Sequence, residues 1–335
     1  MSLEFLISKI QNNNFLLIGR AGVDIYPDPP GTKTENANTY VTHLGGSSAN
    51  MGVQLKKYGG SCSLLTRVSN DALGKFALNQ LDHYGVNRDL VKLEDNESRI
   101  SFAIVETTIE DHQSIIYRHK AADLFLNKSD IEIAKIHNYE CILITGTSLA
   151  AQPSRDAVLY ALKLAKEKNI PVIMDIDYRP YTWESAEKAQ EVYNLACEYC
   201  SGVIGNDDEF AILSGNYDEG LNYAKKLSSK CDLVIFKMGE KGSITFSQNL
   251  EIIKGIFPVK PLKPTGAGDS FMGSLIGALL KNYDLEKAIE IGSAAAAIVV
   301  TRVGCAPAMP DLEEVLEFMN TNKINKGDKN AHTTV

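Results

Sequence analysis

No apolar run in the 335 residues approaches bilayer length; the longest, residues 294–300, is far short of the roughly 20 residues that a crossing helix needs. The N-terminus also lacks the basic, apolar and cleavage-site order of a signal peptide, so a cytoplasmic protein is expected. Cysteine is sparse. Six residues do not staple a chain of this size, and only Cys197 and Cys200 form a C-x-x-C, with no second pair or nearby histidine to complete a zinc site. Buried structural thiols are the expectation there. Basic charge is in deficit too: 34 Lys and Arg stand against 42 Asp and Glu, a net charge of -8. That balance argues against nucleic acid or a membrane surface as partner and points to small molecules. No G-x-x-x-x-G-K-[ST] occurs, which excludes a P-loop enzyme. Gly19-Arg20-Ala21-Gly22 follows an apolar segment but lacks the third glycine of a dinucleotide fingerprint and gives way to a proline-rich turn. No repeat, low-complexity block or linker divides the chain. One domain is therefore expected over residues 1–320, with residues 321–335, rich in Lys, Asn, Gly and Thr, as a disordered tail.

Apolar strands alternating with helical periods are what the chain does contain. FLLIG (15–19), CILIT (141–145), PVIMDID (171–177), GVIG (202–205) and LVIF (233–236) read as strands, and residues 154–168 repeat apolar positions at helical spacing. The pattern predicts an α/β fold with a mainly parallel sheet. Residues 36–44 and 98–118 differ, being β-branched or alternating with no helix between nearby turns. They predict a small antiparallel sheet inserted into the core and able to act as a lid.

One stretch concentrates chemistry. In KPTGAGDSF (263–271) two glycines flank an alanine and lead into a helix-like run of small and apolar residues. Bare amides at a helix N-terminus form an anion site, favoured by the helix dipole. Asp269, in the first turn, reads simply as a dipole-stabilised residue, but that leaves the glycines unexplained. Phosphoryl transfer needs both parts: donors for the charge on the moving group, and a carboxylate to take the proton of the attacking hydroxyl.

With Gly266-Ala267-Gly268-Asp269 near one end and Gly45-Gly46-Ser47-Ser48-Ala49-Asn50 near the other, the sequence resembles the PfkB family of ribokinase-like sugar kinases over most of its length. The resemblance implies a ribokinase-like Rossmann-type sandwich with a β-sheet lid, ATP as donor and a divalent metal, Mg2+. It makes Asp269 the catalytic base, and the amides of Gly266, Ala267 and Gly268 the anion hole. Asp24, Gly45, Gly46 and Asn50 match positions that hold sugar hydroxyls. Asn206 and Glu209 match an N-x-x-E whose glutamate organises the metal through water, and Lys237, Gly239 and Gly242 match a nucleotide-side turn. Each has a plainer reading from the residues alone: Asp24 as a turn residue before Pro27, Asn206 with Glu209 as a helix capping box, Gly239 and Gly242 as a hairpin turn. Lys263-Pro264 stands where many members carry Asp-Thr, and a lysine there resembles the branch acting on 5-dehydro-2-deoxygluconate in myo-inositol catabolism.

Arg118 and Arg179 bear on the substrate. Both lie in strings, Tyr117-Arg118 and D-Y-R-P-Y-T-W, that resemble segments of kinases for keto-deoxy-gluconates, and a guanidinium suits a bidentate carboxylate. Surface ion pairing is the ordinary alternative for both. The expected activity is ATP-dependent phosphorylation of the terminal hydroxyl of an acidic keto-deoxy sugar, 5-dehydro-2-deoxygluconate first. 2-Dehydro-3-deoxygluconate, a neutral sugar as in fructokinase or ribokinase, and a non-catalytic sugar sensor stand as alternatives. The resemblance also implies a homodimer paired through the lid, since lids of the family often pair between two subunits and an exposed sheet edge near Val41 or Ile104 would need such covering.

Overall fold

Short aliphatic and β-branched runs, each closed by a turn or a helix cap, form thirteen strands in a computed structural model that describes residues 2–95, 97–248 and 250–327. In chain order these are β1 (Phe15–Ile18), β2 (Gly22–Asp28), β3 (Thr39–Gly45), β4 (Cys62–Ser69), β5 (Val91–Glu94), β6 (Phe102–Val105), β7 (Ser114–Tyr117), β8 (Cys141–Thr145), β9 (Val172–Asp175), β10 (Gly202–Asn206), β11 (Leu233–Lys237), β12 (Ser243–Ser247) and β13 (Leu250–Lys254). Nine of them make one sheet in the order β13-β12-β11-β10-β9-β8-β1-β4-β5. It is parallel from β5 through β11, and the β12–β13 hairpin extends it antiparallel.

Alternation along the central strand decides the layers. Phe15 and Leu17 face one apolar cluster with the helices Ser47–Lys57 and Ala267–Leu280, while Leu16 and Ile18 face another with Ser154–Glu167 and Ala186–Cys197. Burial on both faces is what makes these strands continuous apolar runs. Parallel register then brings the strand ends into line: Thr145 pairs with Asp175, and Asn206 with Lys237. Polar residues thus collect at the carboxyl edge of the sheet, where open α/β folds bind ligands.

The other four strands form the lid, in the order β3-β2-β6-β7. β6 and β7 fall inside the segments expected from sequence, and β3 overruns its segment by Gly45 alone. β2 falls outside them, because Asp24 and Pro27 read as a turn, whereas both lie in this strand. Pairing of β2 with β6 ends at Ile25, so Pro27 is tolerated on a stretch whose β6-side edge is already free. β4, β5 and the β12–β13 hairpin were likewise not read from the sequence.

Within the expected tail, Thr321 closes a helix and Asn325 is hydrogen-bonded to the body of the protein. The last helix runs Leu312–Thr321, and Asn325 then exchanges hydrogen bonds with Ile256: Ile256 N–H donates to Asn325 Oδ1 at 2.7 Å, and Asn325 N–H donates to the Ile256 carbonyl at 2.9 Å. The remaining expected-tail residues, 328–335, lie outside the described residues. All six cysteines are free and buried. Among the described residues no helix is long and apolar enough to cross a membrane.

Candidate active site

Between the carboxyl edge of the sheet and the inner face of the lid lies a cavity of about 1000 Å³, lined on the lid side by Ala103, Val105 and Ile116. Its two ends have different chemistry.

At one end the helix Ala267–Leu280 begins. Gly266 is its N-cap with φ 87° and supplies no side-chain cap. The first intrahelical bond runs from Ser270 N–H to the Gly266 carbonyl at 3.0 Å, which leaves the amides of Ala267, Gly268 and Asp269 without helical partners. A Cβ on Gly266 would lie 3.0 Å from Cys305 Sγ in a left-handed backbone, so glycine is required there. A Cβ on Gly268 would lie 3.4 Å from Lys237 Nζ, which puts an ammonium beside the bare amides. Burial favours the neutral amine of Lys237, but Asp175, Glu209 and Asp269 outweigh it and hold the pKa above the ordinary value. Buried residues from Ser270 to Leu279 anchor the helix behind this N-terminus.

Asp269 sits half-buried on the cavity floor, its Oδ2 accepting from Asn50 Nδ2 at 2.8 Å. Burial, then the nearby charges of Asp177 and Asp175, push its pKa up to about 7 against the opposing effects of Asn50 and Arg179. A carboxyl poised near neutrality is suited to take a proton from a hydroxyl and return it.

Asn206 and Glu209 satisfy both readings offered by the sequence. They form a capping box, Glu209 N–H to Asn206 Oδ1 at 2.8 Å and Asn206 N–H to Glu209 Oε2 at 2.7 Å, and both also line the cavity. Burial first, and Asp175 next, raise Glu209 to about 7. Burial likewise raises Asp175, at the end of β9. This crowding of carboxylates fits a cation close by. Among the described residues no three His, Cys, Asp or Glu side chains come together to hold a metal directly, so a divalent ion here would keep waters and phosphate oxygens as ligands. Gly239 and Gly242 line the same end within the β11–β12 hairpin, and a Cβ on Gly242 would lie 2.0 Å from the Lys254 carbonyl oxygen.

The other end is assembled from scattered segments. Asp24 lines it from β2, with burial raising its pKa and Arg20 opposing that rise. Gly45 does not line the cavity, contrary to its expected contact with the sugar. Its lack of a side chain makes room for Asp24 instead, since a Cβ there would lie 2.0 Å from Asp24 Oδ1. Gly46, the N-cap of Ser47–Lys57 with φ 94°, does line it, as does Asn50, whose buried Oδ1 has no partner.

The two expected arginines part company. Arg179 reaches the cavity with its side chain 40% exposed while Nη2 pairs with Asp177 Oδ1 at 2.7 Å. Burial opposes ionisation of Asp177, but Arg179 and the Ser47 hydroxyl, 2.6 Å away, hold its pKa below the usual carboxylate value. Arg118 is absent from the cavity wall. Its Nε donates to Asp123 Oδ2 at 3.0 Å, its Nη1 to the Thr147 carbonyl at 2.9 Å, and its Nη2 also binds Asp123. This buried pair consumes the fork that a substrate would need.

Sequence reasoning missed four cavity residues. Asp175 and Asp177 are the carboxylates of PVIMDID, read only as a strand, and acids closing a parallel strand were the available signal. Arg20 lies in the string set aside as an incomplete dinucleotide motif. Lys263 was noted only as a departure; its wholly buried Nζ donates to the Thr265 carbonyl at 2.5 Å and lies 3.5 Å from that of Val299, tying the glycine loop to the helix Leu285–Val300.

Comparison with known proteins agrees with this geometry. The pfkB family carbohydrate kinase model matches residues 12–312. The chain is 36% identical to the 5-dehydro-2-deoxygluconokinase of Photobacterium profundum, covering 92% of this chain and 95% of that one, and 34% identical to that of Geobacillus thermodenitrificans, covering 91% and 93%. A fructokinase double mutant from Vibrio cholerae O395, solved with fructose, ADP and potassium, superposes with a TM-score of 0.80 at 26% identity, covering 92% of this chain and 98% of that one. A putative ribokinase II from E. coli, solved with ATP and Mg2+, shares the fold with a TM-score of 0.81 at 22% identity, covering 92% and 99%. With the family model spanning residues 12–312 and close relatives of its length, this protein belongs to the pfkB family of carbohydrate kinases.

Proposed function

We propose that the enzyme transfers the γ-phosphoryl group of ATP to the terminal hydroxyl of 5-dehydro-2-deoxygluconate, within one catalytic domain. The observation that carries the reading is Asp269, with a pKa of about 7, hydrogen-bonded to Asn50 in the first turn of a helix whose leading amides are bare. Asp269 removes the proton of the attacking hydroxyl as the bond to phosphorus forms. The amides of Ala267 and Gly268 and the Lys237 ammonium receive the charge that gathers on the phosphoryl oxygens. Asp24 and Asn50 hold sugar hydroxyls, and Arg179 faces the acid end. Glu209, with Asp175, would hold a divalent cation, Mg2+, which would supply neutralisation of phosphate charge. Closure of the lid over the sugar excludes water from the transfer.

The relatives named for this substrate support the choice of sugar acid, as does Arg179, a cation on the cavity wall with 40% of its side chain exposed. The lid's exposed apolar residues support a homodimer: Tyr40 on one edge strand and Ile115 and Tyr117 on the other expose 39%, 41% and 50% of their surface. Such residues on an open sheet ask for a second copy.

The test is ADP release with Mg-ATP and, in turn, 5-dehydro-2-deoxygluconate, 2-dehydro-3-deoxygluconate, fructose and ribose, with Asp269→Asn as control. The reading requires the highest kcat/KM on the first sugar and its loss in the variant. A preference for the second would retain the mechanism and replace the substrate, whereas no turnover of any would defeat the kinase assignment.

A further inference from the structure

Four arginines are buried among the described residues: Arg20, Arg67, Arg118 and Arg155. Three are paired with carboxylates. Arg67 meets Asp130 at 2.7 Å and Glu94 at 2.5 Å, Arg118 meets Asp123, and Arg155 meets Glu184 at 3.1 Å. Arg20 is different. Its one hydrogen bond is a long 3.4 Å contact from Nη1 to Ser101 Oγ, it makes no ion pair, and its Nε is buried with no partner at all. Only 7% of its surface is exposed, and it lines the cavity.

Its backbone is held firmly. Residues 19–21 link β1, in the middle of the large sheet, to β2, in the middle of the lid. The Arg20 carbonyl accepts from Ala49 N–H at 3.2 Å, and a Cβ on Gly46 would lie 2.5 Å from that oxygen. A cation fixed in this way and left unpaired in a low-dielectric pocket is costly unless a ligand pairs it. Neighbouring acids do not fill that role. Asp24 on β2 and Asp177 beyond β9 both feel its charge, yet neither is in ion-pair contact with it, and Asp177 is already engaged by Arg179 and Ser47. The ligand it awaits is not the nucleotide, whose phosphates belong with the glycine amides and Lys237 at the opposite end.

The geometry points to Arg20 as a residue that grips the substrate carboxylate, the role that sequence assigned to Arg118 and Arg179. This inference deepens the sugar-acid reading and rests on it. A planar guanidinium with a free edge binds a carboxylate in a bidentate way, and its fixed position beside the β1–β2 link sets how far the acid end lies from Asp269.

The test uses the full-length enzyme and Arg20→Met, with Arg20→Lys retaining the charge but not the fork. We expect Arg20→Met to raise KM for 5-dehydro-2-deoxygluconate by roughly tenfold to a hundredfold, as loss of a charged hydrogen bond predicts. Arg20→Lys should recover only part of this, KM for ATP should hold, and the preference for the sugar acid over fructose should shrink by the same factor. Thermal unfolding without ligand supplies the second readout: Tm should stay level or rise, because an unpaired buried charge has been removed. A KM for the sugar acid within twofold of the parent value would overturn the assignment, and so would a marked fall in Tm, which signals a structural role. If the unmodified enzyme phosphorylates fructose but not the sugar acid, the substrate reading itself is wrong and Arg20 has no carboxylate to bind.

Discussion

The end of the cavity that we propose takes phosphate, the phosphate end, and the opposite end that we propose takes sugar, the sugar end, are built from different parts of the chain. At the phosphate end, Gly266, Ala267, Gly268 and Asp269 are consecutive, and what they offer is mostly backbone: amides freed by a helix start, held by a buried helix behind them. At the sugar end, Arg20, Asp24, Asn50, Asp177 and Arg179 come from the β1–β2 link, the lid, one helix and a loop after β9, and what they offer is side chains. A backbone site depends on local conformation and survives most changes elsewhere. A side-chain site depends on which partner each group finds, and Arg118 shows that the partner can be another residue of the protein.

The largest effect should come from breaking the phosphate end at its one essential side chain. Asp269→Asn keeps the shape and removes the base, and we expect kcat to fall by about 10² to 10⁴ in the ADP-release assay. The parent kcat/KM should climb with pH and level off above about 7, where the carboxyl is ionised, while the variant loses that rise. Stability runs the other way. A carboxyl whose folded pKa is raised from 3.8 to about 7 stabilises the fold fully below 3.8, and that contribution disappears as pH rises through 7. Asp269→Asn should therefore be at least as stable as the parent at pH 8, with the advantage vanishing by pH 4 in denaturant titrations.

Arg118 sharpens the comparison from the other side. Arg118→Ala leaves Asp123 buried without its cation, and we expect a loss of about 3–5 kcal/mol in urea unfolding. The folded fraction should retain its KM for the sugar acid. Replacing both partners with leucine should recover much of the loss, because the desolvation cost disappears with the pair.

The same contrast explains what could be read from the sequence. Parallel strands such as Cys141–Thr145 were legible because burial on both faces writes a continuous apolar run, and the glycine loop because its chemistry is contiguous. β2 was not, since Pro27 reads as a turn until the end of the β6 pairing is known. Within the expected tail, composition cannot show that Asn325 will satisfy the backbone of Ile256. The buried pairing of Arg118 and the unpaired fork of Arg20 were hidden for the same reason. An arginine's neighbours in sequence do not reveal whether its fork is already filled.

Two glycines two residues apart allow a finer cut within the phosphate end. Gly266→Ala forces a left-handed backbone on an L-residue, at a cost of roughly 1–2 kcal/mol, and presses on Cys305 and Val299. Displacement of the amides should lower kcat on the order of 10². Gly268→Ala meets nothing closer than Lys237 Nζ at 3.4 Å, so its Tm should hold. Its KM for ATP should rise, because the new methyl group occupies the space between the ammonium and the amides where a phosphate would lie.

The smallest effect on chemistry should come from the lid's outer face, which neither end uses. Phe102 and Tyr117 stack at 4.7 Å between ring centres across the β6–β7 pair, and Ile104 stands opposite Ile115 in the same register, so the exposed side of this hairpin is apolar over its full length. The inner side supplies Ala103, Val105 and Ile116 to the cavity, so alternation separates the proposed dimer face from the cavity face residue by residue. Ile115→Lys with Tyr117→Lys puts two charges on the outer side alone. If a second copy covers that face, light scattering should show the mass halve, with kcat little changed and KM for the sugar acid raised modestly, because a lid without its partner closes less readily. A parent enzyme that is already monomeric would refute the pairing and leave the apolar face without an occupant; an unchanged dimer would move the interface to another surface.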